Sequence, residues 1–574
     1  YTLTGDYISL KIPATLQDSL MARLDRLTSA KELVQWCSIL GREFSSQMLL
    51  AIYPRNEQTL QQELRRLVES ELLFQRGVFP RATYIFKHAL IQETAYQSRL
   101  KNTRRRHHGN IAEVLVKQFP ELADSQPEIL AHHYTEAGLN LEAISYWQQA
   151  GQRAVERFAN KEAIAHITKG LELLGNLPES AEHTRQELML QIALGPLLSS
   201  LKGFAAPEVE AAYSRAFKIC QQSGGAQLRF PALWGLWHFY LLKLELPKVV
   251  TLAEQLLSLA QTANDHLFLS DAYRARGETY LWSGEFFQAK TYFEKGIDLT
   301  DARQQHAYFA ESPEVACRFF SAIALWYLGY PDQALLRSHE AVTLAQELSH
   351  PLSLSAAHHF ASWLHLLRQE GDATFEQAEA AMAIAAEQGF VFFIAFDTML
   401  RGWALAEQGL IEEGISELRK GLTAYRATGA KALVLQWMVL LAELYEKSGQ
   451  AENGISVIAE AQILADENKG ERYYISEMLR LKGLLLIQGA KHKIRETAVF
   501  NEAETCFLRA IEIAKQQKAK SLELRAAVSL YRLWQKQGKK AEALGLLSKI
   551  YNWFEEGLGT PDLIAAKVLL EELS

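Results

Sequence analysis

The stretch that decides the fold is Tyr273–Gly296, with the sequence YRARGETYLWSGEFFQAKTYFEKG. Large and small residues alternate along it at the spacing of two antiparallel helices, in which the small residues let the helices approach closely. These positions are Tyr273, Gly277, Tyr280, Ala289, Phe293 and Gly296. Gly284 lies between the two halves, where a residue with positive φ ends a helix at little cost. The stretch therefore predicts a helical hairpin.

The same pattern returns along most of the chain. In an earlier copy, Ala131, Tyr134, Gly138, Ala143, Trp147 and Ala150 have the same spacing as Gly277, Tyr280, Gly284, Ala289, Phe293 and Gly296. A later copy contains Gly329 and Ala334, and glycines expected between helices lie at 284, 329, 371, 409, 449, 489 and 538. The unit is about 40 residues long, longer than the ~34 of a minimal tetratricopeptide (TPR) repeat. The sequence predicts a mainly α protein with a TPR-like α-solenoid, interrupted by a polar insertion at residues 491–501.

The N-terminal part of the chain does not follow the repeat. Helices are expected at residues 13–27, 30–40, 45–52 and 57–70, followed by a short β-hairpin around Gly77 and Pro80 and a further helix from His88. This order predicts a winged-helix-like domain. Such domains often bind DNA, but the helix at 57–70 carries two arginines against three glutamates, and a helix that enters the major groove should be basic.

Five segments are predicted from these patterns. They are a winged-helix-like domain at 1–100, a linker helix with the first TPR-like hairpins at 101–175, a less regular helical segment at 176–230, a TPR-like superhelix at 231–556 and a C-terminal capping helix at 557–574. In the less regular segment, helices are expected around 183–199 and 207–221, separated by Pro196 and Gly203.

Composition and charge narrow the possible functions. A chain of 574 residues is too long for one compact core unless that core is a linear stack. The net charge of −7 disfavours general binding to nucleic acid or to anionic membranes. The four cysteines are scattered, which is typical of a reduced, cytoplasmic protein. The chain begins with Tyr rather than Met and is expected to be a piece of a longer protein.

No catalytic or metal site is predicted in this chain. The phosphate-binding patterns G-x-x-x-x-G-K-[ST] and G-x-G-x-x-G do not occur in the sequence. Histidines are paired at 107–108, 132–133 and 358–359. Because neighbouring side chains on a helix point about 100° apart, such a pair does not chelate a metal easily.

Two other features have alternative interpretations. The basic run at 101–108, KNTRRRHH, is expected to be the solvated start of a helix, with a phosphate-binding or interdomain contact as the alternative. The aromatic segments at 234–240 and 390–396 are expected to fill the layer between hairpins. A ligand or peptide groove is the alternative for these segments.

His88 is the candidate for a switch role. It lies in Phe86–Glu93, FKHALIQE, where the predicted β-hairpin leads into a helix. Near the positive end of a helix dipole, a histidine tends to stay neutral and is able to contact a phosphate. A partly buried structural histidine is the alternative.

Several segments resemble bacterial STAND signalling ATPases (signal transduction ATPases with numerous domains). Residues 12–27, 40–45, 86–100 and 130–138 resemble the region that follows the ATPase core, with the sequences IPATLQDSLMARLDRL, LGREFS, FKHALIQETAYQSRL and LAHHYTEAG. Residues 325–335 (LWYLGYPDQAL) and 519–543 (AKSLELRAAVSLYRLWQKQGKKAEA) resemble the TPR half of the same proteins. The most similar members fuse class III adenylate/guanylate cyclase domains to a P-loop ATPase and a TPR tail.

The resemblance implies a sensor region that is not itself an enzyme. It would bind a protein or small-molecule effector through the repeats and control an upstream P-loop ATPase, which would hold the ATP or ADP, together with a nucleotide-cyclase domain. In this family a winged-helix histidine touches the bound nucleotide, and FKHAL is similar at His88 and Leu90 but has Ala89 where an acid is common. A stand-alone TPR scaffold and the regulatory region of a STAND transcription activator are the alternatives.

Overall fold

A computed structural model describes residues 20–22, 24–27, 30–223, 226–299, 311–467, 471–490 and 496–572 of the chain. The chain forms two compact units, residues 1–183 and 184–574. The predicted mainly α fold with helical-hairpin repeats is confirmed. The helix expected at 13–27 lies mostly outside the described residues, and the five predicted segment boundaries stay predictions.

The first unit begins with a small region that mixes helices and strands. Its elements are, in chain order, α1 (Ala30–Leu40), β1 (Glu43–Ser45), α2 (Ser46–Ile52), α3 (Glu57–Glu69), β2 (Leu73–Arg76), β3 (Thr83–Phe86) and α4 (Ala89–Gln97). The strands form an antiparallel sheet in the order β1–β3–β2, in which Phe44 pairs with Tyr84 and Phe74 with Ile85. The predicted β-hairpin is confirmed, whereas β1 was not predicted.

The core of this region follows from helical periodicity. Leu60, Leu64 and Leu67 are spaced so that they share one face of α3, and all three are fully buried. They belong to one core with Leu33 and Val34 of α1. One polar residue of α3, Glu63, is also buried, and its carboxylate accepts a hydrogen bond from the Tyr53 hydroxyl at 2.9 Å.

The rest of the first unit is helical. Its helices are α5 (Lys101–Gln118), α6 (Pro120–Ser125), α7 (Pro127–Ala137), α8 (Asn140–Glu156) and α9 (Asn160–Leu174). Helix α7 ends at Gly138, which has a φ of 77°. This left-handed conformation turns the chain into α8, and the fully buried Ala131 and Ala143 belong to these two helices.

The second unit consists of helices in all its described parts. They are α10 (Ala181–Lys202, which begins in the first unit), α11 (Pro207–Ser223), α12 (Ala226–Leu242), α13 (Leu246–Ala263), α14 (His266–Trp282), α15 (Phe286–Asp298), α16 (Pro313–Leu328), α17 (Pro331–Leu348), α18 (Pro351–Leu367), α19 (Gly371–Gln388), α20 (Val391–Glu407), α21 (Ile411–Ala427), α22 (Val434–Lys447), α23 (Ala451–Glu467), α24 (Ile475–Ala490), α25 (Glu496–Gln516), α26 (Lys520–Lys536), α27 (Lys540–Tyr551) and α28 (Pro561–Glu571).

The turns inside the hairpins show the true register of the repeat. Residues with positive φ there are Leu244, Gly284, Gly329, Gln369, Gly409, Gly449 and Gly538. From residue 329 to residue 449 they recur at 329, 369, 409 and 449, every 40 residues. The predictions for Gly371 and Gly489 were wrong, because Gly371 is the first residue of α19 and Gly489 lies inside α24. Gln369 takes the left-handed position without being glycine.

Two further predictions need correction. Pro196 does not separate two helices, because α10 runs through it from Ala181 to Lys202. The two helices expected here are present as α10 and α11, and Gly203, with a φ of 93°, lies between them. The residues around Pro196 are buried, and this burial opposes the cost of the hydrogen bond that proline cannot make. Residues 496–501, expected in a polar insertion, are the first residues of α25, and residues 491–495 lie outside the described ranges.

Helix ends in the second unit form hydrogen bonds with residues far away in the sequence. The carbonyl of Leu242, at the end of α12, accepts a hydrogen bond from the N–H of Lys431 at 2.8 Å. The carbonyl of Trp282 at the end of α14 likewise accepts from the N–H of Arg472 at 3.1 Å. At the end of α18, the carbonyl of Leu367 accepts a hydrogen bond from Nη2 of Arg525 at 2.6 Å. Helix ends have carbonyls without helical partners, so these long-range bonds satisfy them.

Candidate functional site

His88 is exposed at the start of α4. It takes the N-cap position with φ −134° and ψ 134°, and its side chain makes no capping hydrogen bond. The neighbouring Lys87 has its Nζ 3.3 Å from a carboxylate oxygen of Glu71 and 4.8 Å from the centre of the Phe74 ring. The alternative of a partly buried structural histidine does not fit this exposure. A contact between His88 and a phosphate stays a prediction.

The residues of the organising hairpin lie between α14 and α15. A β-carbon at Gly277 would come 2.4 Å from Cε1 of Phe293, so only glycine fits there without a shift. Ala289 is fully buried, and the ring of Tyr280 stacks on Tyr292 with centroids 5.5 Å apart.

The other predicted repeat positions are distributed through both units. Tyr273 also contacts the Tyr292 ring, and Gly296 lies close to the thiol of Cys317. Ala334 is fully buried and Tyr134 is largely buried. The structure does not gather these residues into one site; they pack each hairpin separately.

The aromatic segments fill the interior of the second unit, as predicted. Trp234 and Trp237 are almost completely buried, as are Phe393 and Phe396. Rings from distant repeats meet there: Trp282 stacks on Trp363 with centroids 6.0 Å apart. In the described part of this interior, the aromatic rings therefore take the space in which a peptide groove would have to lie.

One charged cluster lies within this interior and was not predicted. Arg274 donates from Nε to Glu278 Oε1 at 2.8 Å and from Nη2 to Glu311, and its Nη1 lies 3.8 Å from Asp271. All four side chains are buried, and burial raises the pKa of Asp271 and of Glu278 to about 7. One guanidinium thus faces three carboxyl groups. Asp271, Arg274 and Glu278 are spaced for one helix face, a signal that the sequence offered.

A chain of hydrogen bonds in the first unit involves two of the histidine pairs. His108 Nδ1 lies 2.8 Å from His133 Nδ1, and His108 Nε2 lies 3.1 Å from the hydroxyl of Tyr96. That hydroxyl donates to Glu136 at 3.1 Å. Burial lowers the pKa of His108 to about 3 and that of His107 to about 4. Both imidazoles are therefore neutral at pH 7.

The basic run at 101–108 is thus only partly solvated. Lys101, Arg105 and Arg106 are exposed, as expected for a helix start. The prediction was wrong for His107 and His108, which are buried because they face Trp36 and the histidine chain. Among the described residues, no group of three or more His, Cys, Asp and Glu side chains is arranged to hold a metal ion.

An open groove lies between α11, α12 and α13 in the second unit. It has a volume of about 570 Å³, and its lining includes Phe217, Lys218, Leu236, Tyr240, Lys248 and Thr251. Leu236 is buried, whereas the two lysines and Thr251 are exposed. A volume of this size is typical of pockets for small organic ligands. Sequence reasoning missed this groove, because its lining comes from three helices whose packing the repeat pattern does not specify.

No protein family model matches the chain. Over 540 residues it is 25% identical to an uncharacterized protein of Rhizobium meliloti (strain 1021), an alignment that covers 91% of this chain and 50% of that protein. The chain therefore spans about half the length of this curated relative.

The solved structures that match the chain include two helical-repeat proteins. A STAND protein with a tetratricopeptide repeat sensor from Pyrococcus horikoshii is 12% identical, with 95% of this chain and 64% of that chain covered and a TM-score of 0.36. Cut9–Hcn1, a hetero-tetramer of the APC/C, is 12% identical, with 82% of this chain and 94% of that chain covered and a TM-score of 0.45. No helix in the described ranges is long and apolar enough to cross a bilayer.

Proposed function

We propose that this chain is the sensor and regulatory region of a bacterial signalling ATPase of the STAND type. In this proposal the helical repeats bind a protein or small-molecule effector in the cytoplasm. Through the first unit, effector binding controls an upstream P-loop ATPase and a nucleotide-cyclase domain of the same polypeptide. The chain itself performs no catalysis.

The observation that carries the proposal is the combination of two kinds of fold in one chain. The first unit has the element order helix, strand, helix, helix, strand, strand and the sheet order β1–β3–β2. This order supports a winged-helix-like domain at residues 1–100. The second unit is built from helical hairpins, whose turns recur every 40 residues from residue 329 to residue 449. Stacks of such hairpins present extended surfaces for binding.

The exposed position of His88 supports the proposed coupling between this chain and the upstream ATPase domain. An imidazole at a helix N-terminus lies where backbone N–H groups and the helix dipole favour an anion. A nucleotide phosphate from an upstream domain would be such an anion. In the proposed switch, this contact stabilises the closed form that holds the nucleoside diphosphate.

The experiment that tests the proposal compares two purified proteins. One is this chain, and the other is the longest protein encoded by its reading frame. Incubated with ATP or GTP, the chain alone should give no hydrolysis and no cyclic nucleotide, whereas the longer protein should bind and turn over nucleotide. A longer protein without a P-loop would favour the stand-alone scaffold, and one with a DNA-binding module would favour a transcription activator.

A further inference from the structure

The groove between α11, α12 and α13 (Phe217, Lys218, Leu236, Tyr240, Lys248 and Thr251) differs chemically from the rest of the protein. The chain as a whole carries a net charge of −7. The groove lining includes two lysines and, among the described residues, no acidic side chain. Lys218 stands on α11 and Lys248 on α13, so the two ammonium groups come from different walls of the groove.

The two lysines have different surroundings. Lys218 makes no ion pair with any described residue and is exposed. Lys248 lies 4.0 Å from the centre of the Tyr240 ring and 2.6 Å from a carboxylate oxygen of Glu245. The Tyr240 hydroxyl donates to Glu210 at 2.9 Å. Two carboxylates thus lie next to the groove but outside its lining, and neither of them pairs with Lys218.

The apolar part of the groove complements these charges. The Phe217 and Tyr240 rings and the buried Leu236 provide surface on which a flat apolar body would pack. Burial of such a body supplies binding free energy, and the ammonium groups would orient an acidic substituent. The aromatic interior of the same unit is filled by its own side chains, whereas this groove is open to solvent.

We propose that this groove binds a small amphipathic anion, an organic molecule with an aromatic or aliphatic body and one acidic group. The inference deepens the proposed function, on which it rests, because it assigns the chemical class and the place of a small-molecule effector. The acidic group lies between Lys218 and Lys248, and the apolar body lies against Phe217, Leu236 and Tyr240.

A pair of fluorescent probes tests the assignment with the intact chain. The first is 8-anilinonaphthalene-1-sulfonate, and the second is N-phenyl-1-naphthylamine, which has the same rings without the sulfonate. The wild-type chain should bind the sulfonate at least tenfold more tightly than the neutral amine. The Lys218→Gln, Lys248→Gln double variant should lose most of this preference. Equal affinity of the wild-type chain for both probes would overturn the charge assignment.

A second variant tests the location. Thr251→Trp places a large side chain in the groove and should weaken binding of the sulfonate at least tenfold. Thr423→Trp is its matched control, because both threonines are exposed and donate to the carbonyl four residues earlier. Lys420→Gln is the matched control for Lys248, since each lysine lies near a glutamate three residues before it. If the groove variants and their controls bind equally, the site is not this groove.

The outcome is separable from that of the proposed function. All variants lie on exposed positions, and their melting temperatures show whether each is folded. If the folded wild-type chain shows no preference for the sulfonate, only the assignment of the groove as an anion site is overturned. The nucleotide experiment on the longer protein is unaffected by that result. Selective binding in the groove supports the inference even if that longer protein contains no ATPase.

Discussion

The carboxylate of Glu556 accepts a hydrogen bond from the backbone N–H of Asp332 at 3.0 Å, although 224 residues separate them. The same oxygen accepts from the N–H of Gln333, and in return the Asp332 carboxylate accepts from the N–H of Gly557. Tyr330, the N-cap of α17, offers no side-chain cap of its own. The start of α17 is therefore capped by a segment near the C-terminus, where the negative charge also matches the helix dipole.

Removal of this cap should loosen both partners. Glu556→Ala should cost about 1 kcal/mol of stability, which is typical for loss of a helix cap. Hydrogen exchange should become faster in the first turn of α17 and in residues 552–560. The exposed neighbour Glu555→Ala is the control and should change neither segment. Equal exchange in the two variants would mean that the contact contributes no stability.

Substitution by alanine should have opposite effects at Gly277, which lies against Phe293, and at Gly545, which has open space around it. Gly277→Ala should destabilise the chain by about 1–3 kcal/mol, because the new methyl group overlaps a buried ring. Gly545→Ala in α27 has open space around it and should stabilise by up to ~1 kcal/mol through helix propensity. Chemical denaturation of both variants measures the difference. Similar shifts in the same direction would contradict the hairpin packing.

Glu471 should make the second unit less stable as pH rises. Burial raises its pKa to about 8, while it accepts the N–H of Leu433 at 2.6 Å. A folded-state pKa above the unfolded value gives stability that is present at low pH and lost as pH rises through about 8. Between pH 6 and pH 8 the loss should be about 2 kcal/mol. Glu471→Gln should abolish this pH dependence, as measured by denaturation at both pH values.

Glu477 is the control for this effect. It is also buried, but although burial alone would raise its pKa, Arg480 and Arg525 lower it. Its carboxylate accepts from Arg480 Nε at 2.9 Å. Glu477→Gln should therefore destabilise by about 3 kcal/mol at pH 6 as well as at pH 8, because it leaves buried cations without their partner. The same pH profile in both variants would contradict the assigned environments.

His88 should matter in the longer protein and hardly at all in this chain. A hydrogen bond to a charged group contributes roughly 1.5–3 kcal/mol, so His88→Ala should raise effector-independent output and speed diphosphate release about tenfold or more. In the isolated chain the exposed imidazole makes no capping bond, and the melting temperature should not change. A destabilised chain with unchanged diphosphate release would make His88 a structural residue.

The sequence predicted the features that depend on residues close together in the chain, namely the helices and the packing within one hairpin. The helix expected at 57–70 is present, and Gly277 and Ala289 marked the close approach of two helices. The register was misplaced where glycine was taken as the marker of a turn. At Gln369 a residue other than glycine adopts the left-handed conformation, which costs roughly 1–2 kcal/mol. The packing of the surrounding helices outweighs this cost.

The features that sequence analysis missed depend on contacts between distant residues. The Arg274 cluster needs Glu311 from another segment, and the cap on α17 needs Glu556 from the far end of the chain. The groove between α11, α12 and α13 depends on how three helices are spaced. Apart from the helix-face spacing of Asp271, Arg274 and Glu278, the pattern within one hairpin does not show these contacts, because each repeat specifies only its own packing and that of its neighbours.

The regulatory role is tested most directly by the rate of diphosphate release from the longer protein. The measurement compares the intact protein with a version that lacks residues 184–574, each loaded with a fluorescent nucleoside diphosphate and chased with unlabelled nucleotide. If the repeats hold the switch closed, their deletion should speed release at least tenfold and raise basal turnover in parallel. Identical release rates and identical turnover in the two proteins would contradict a regulatory role for this region.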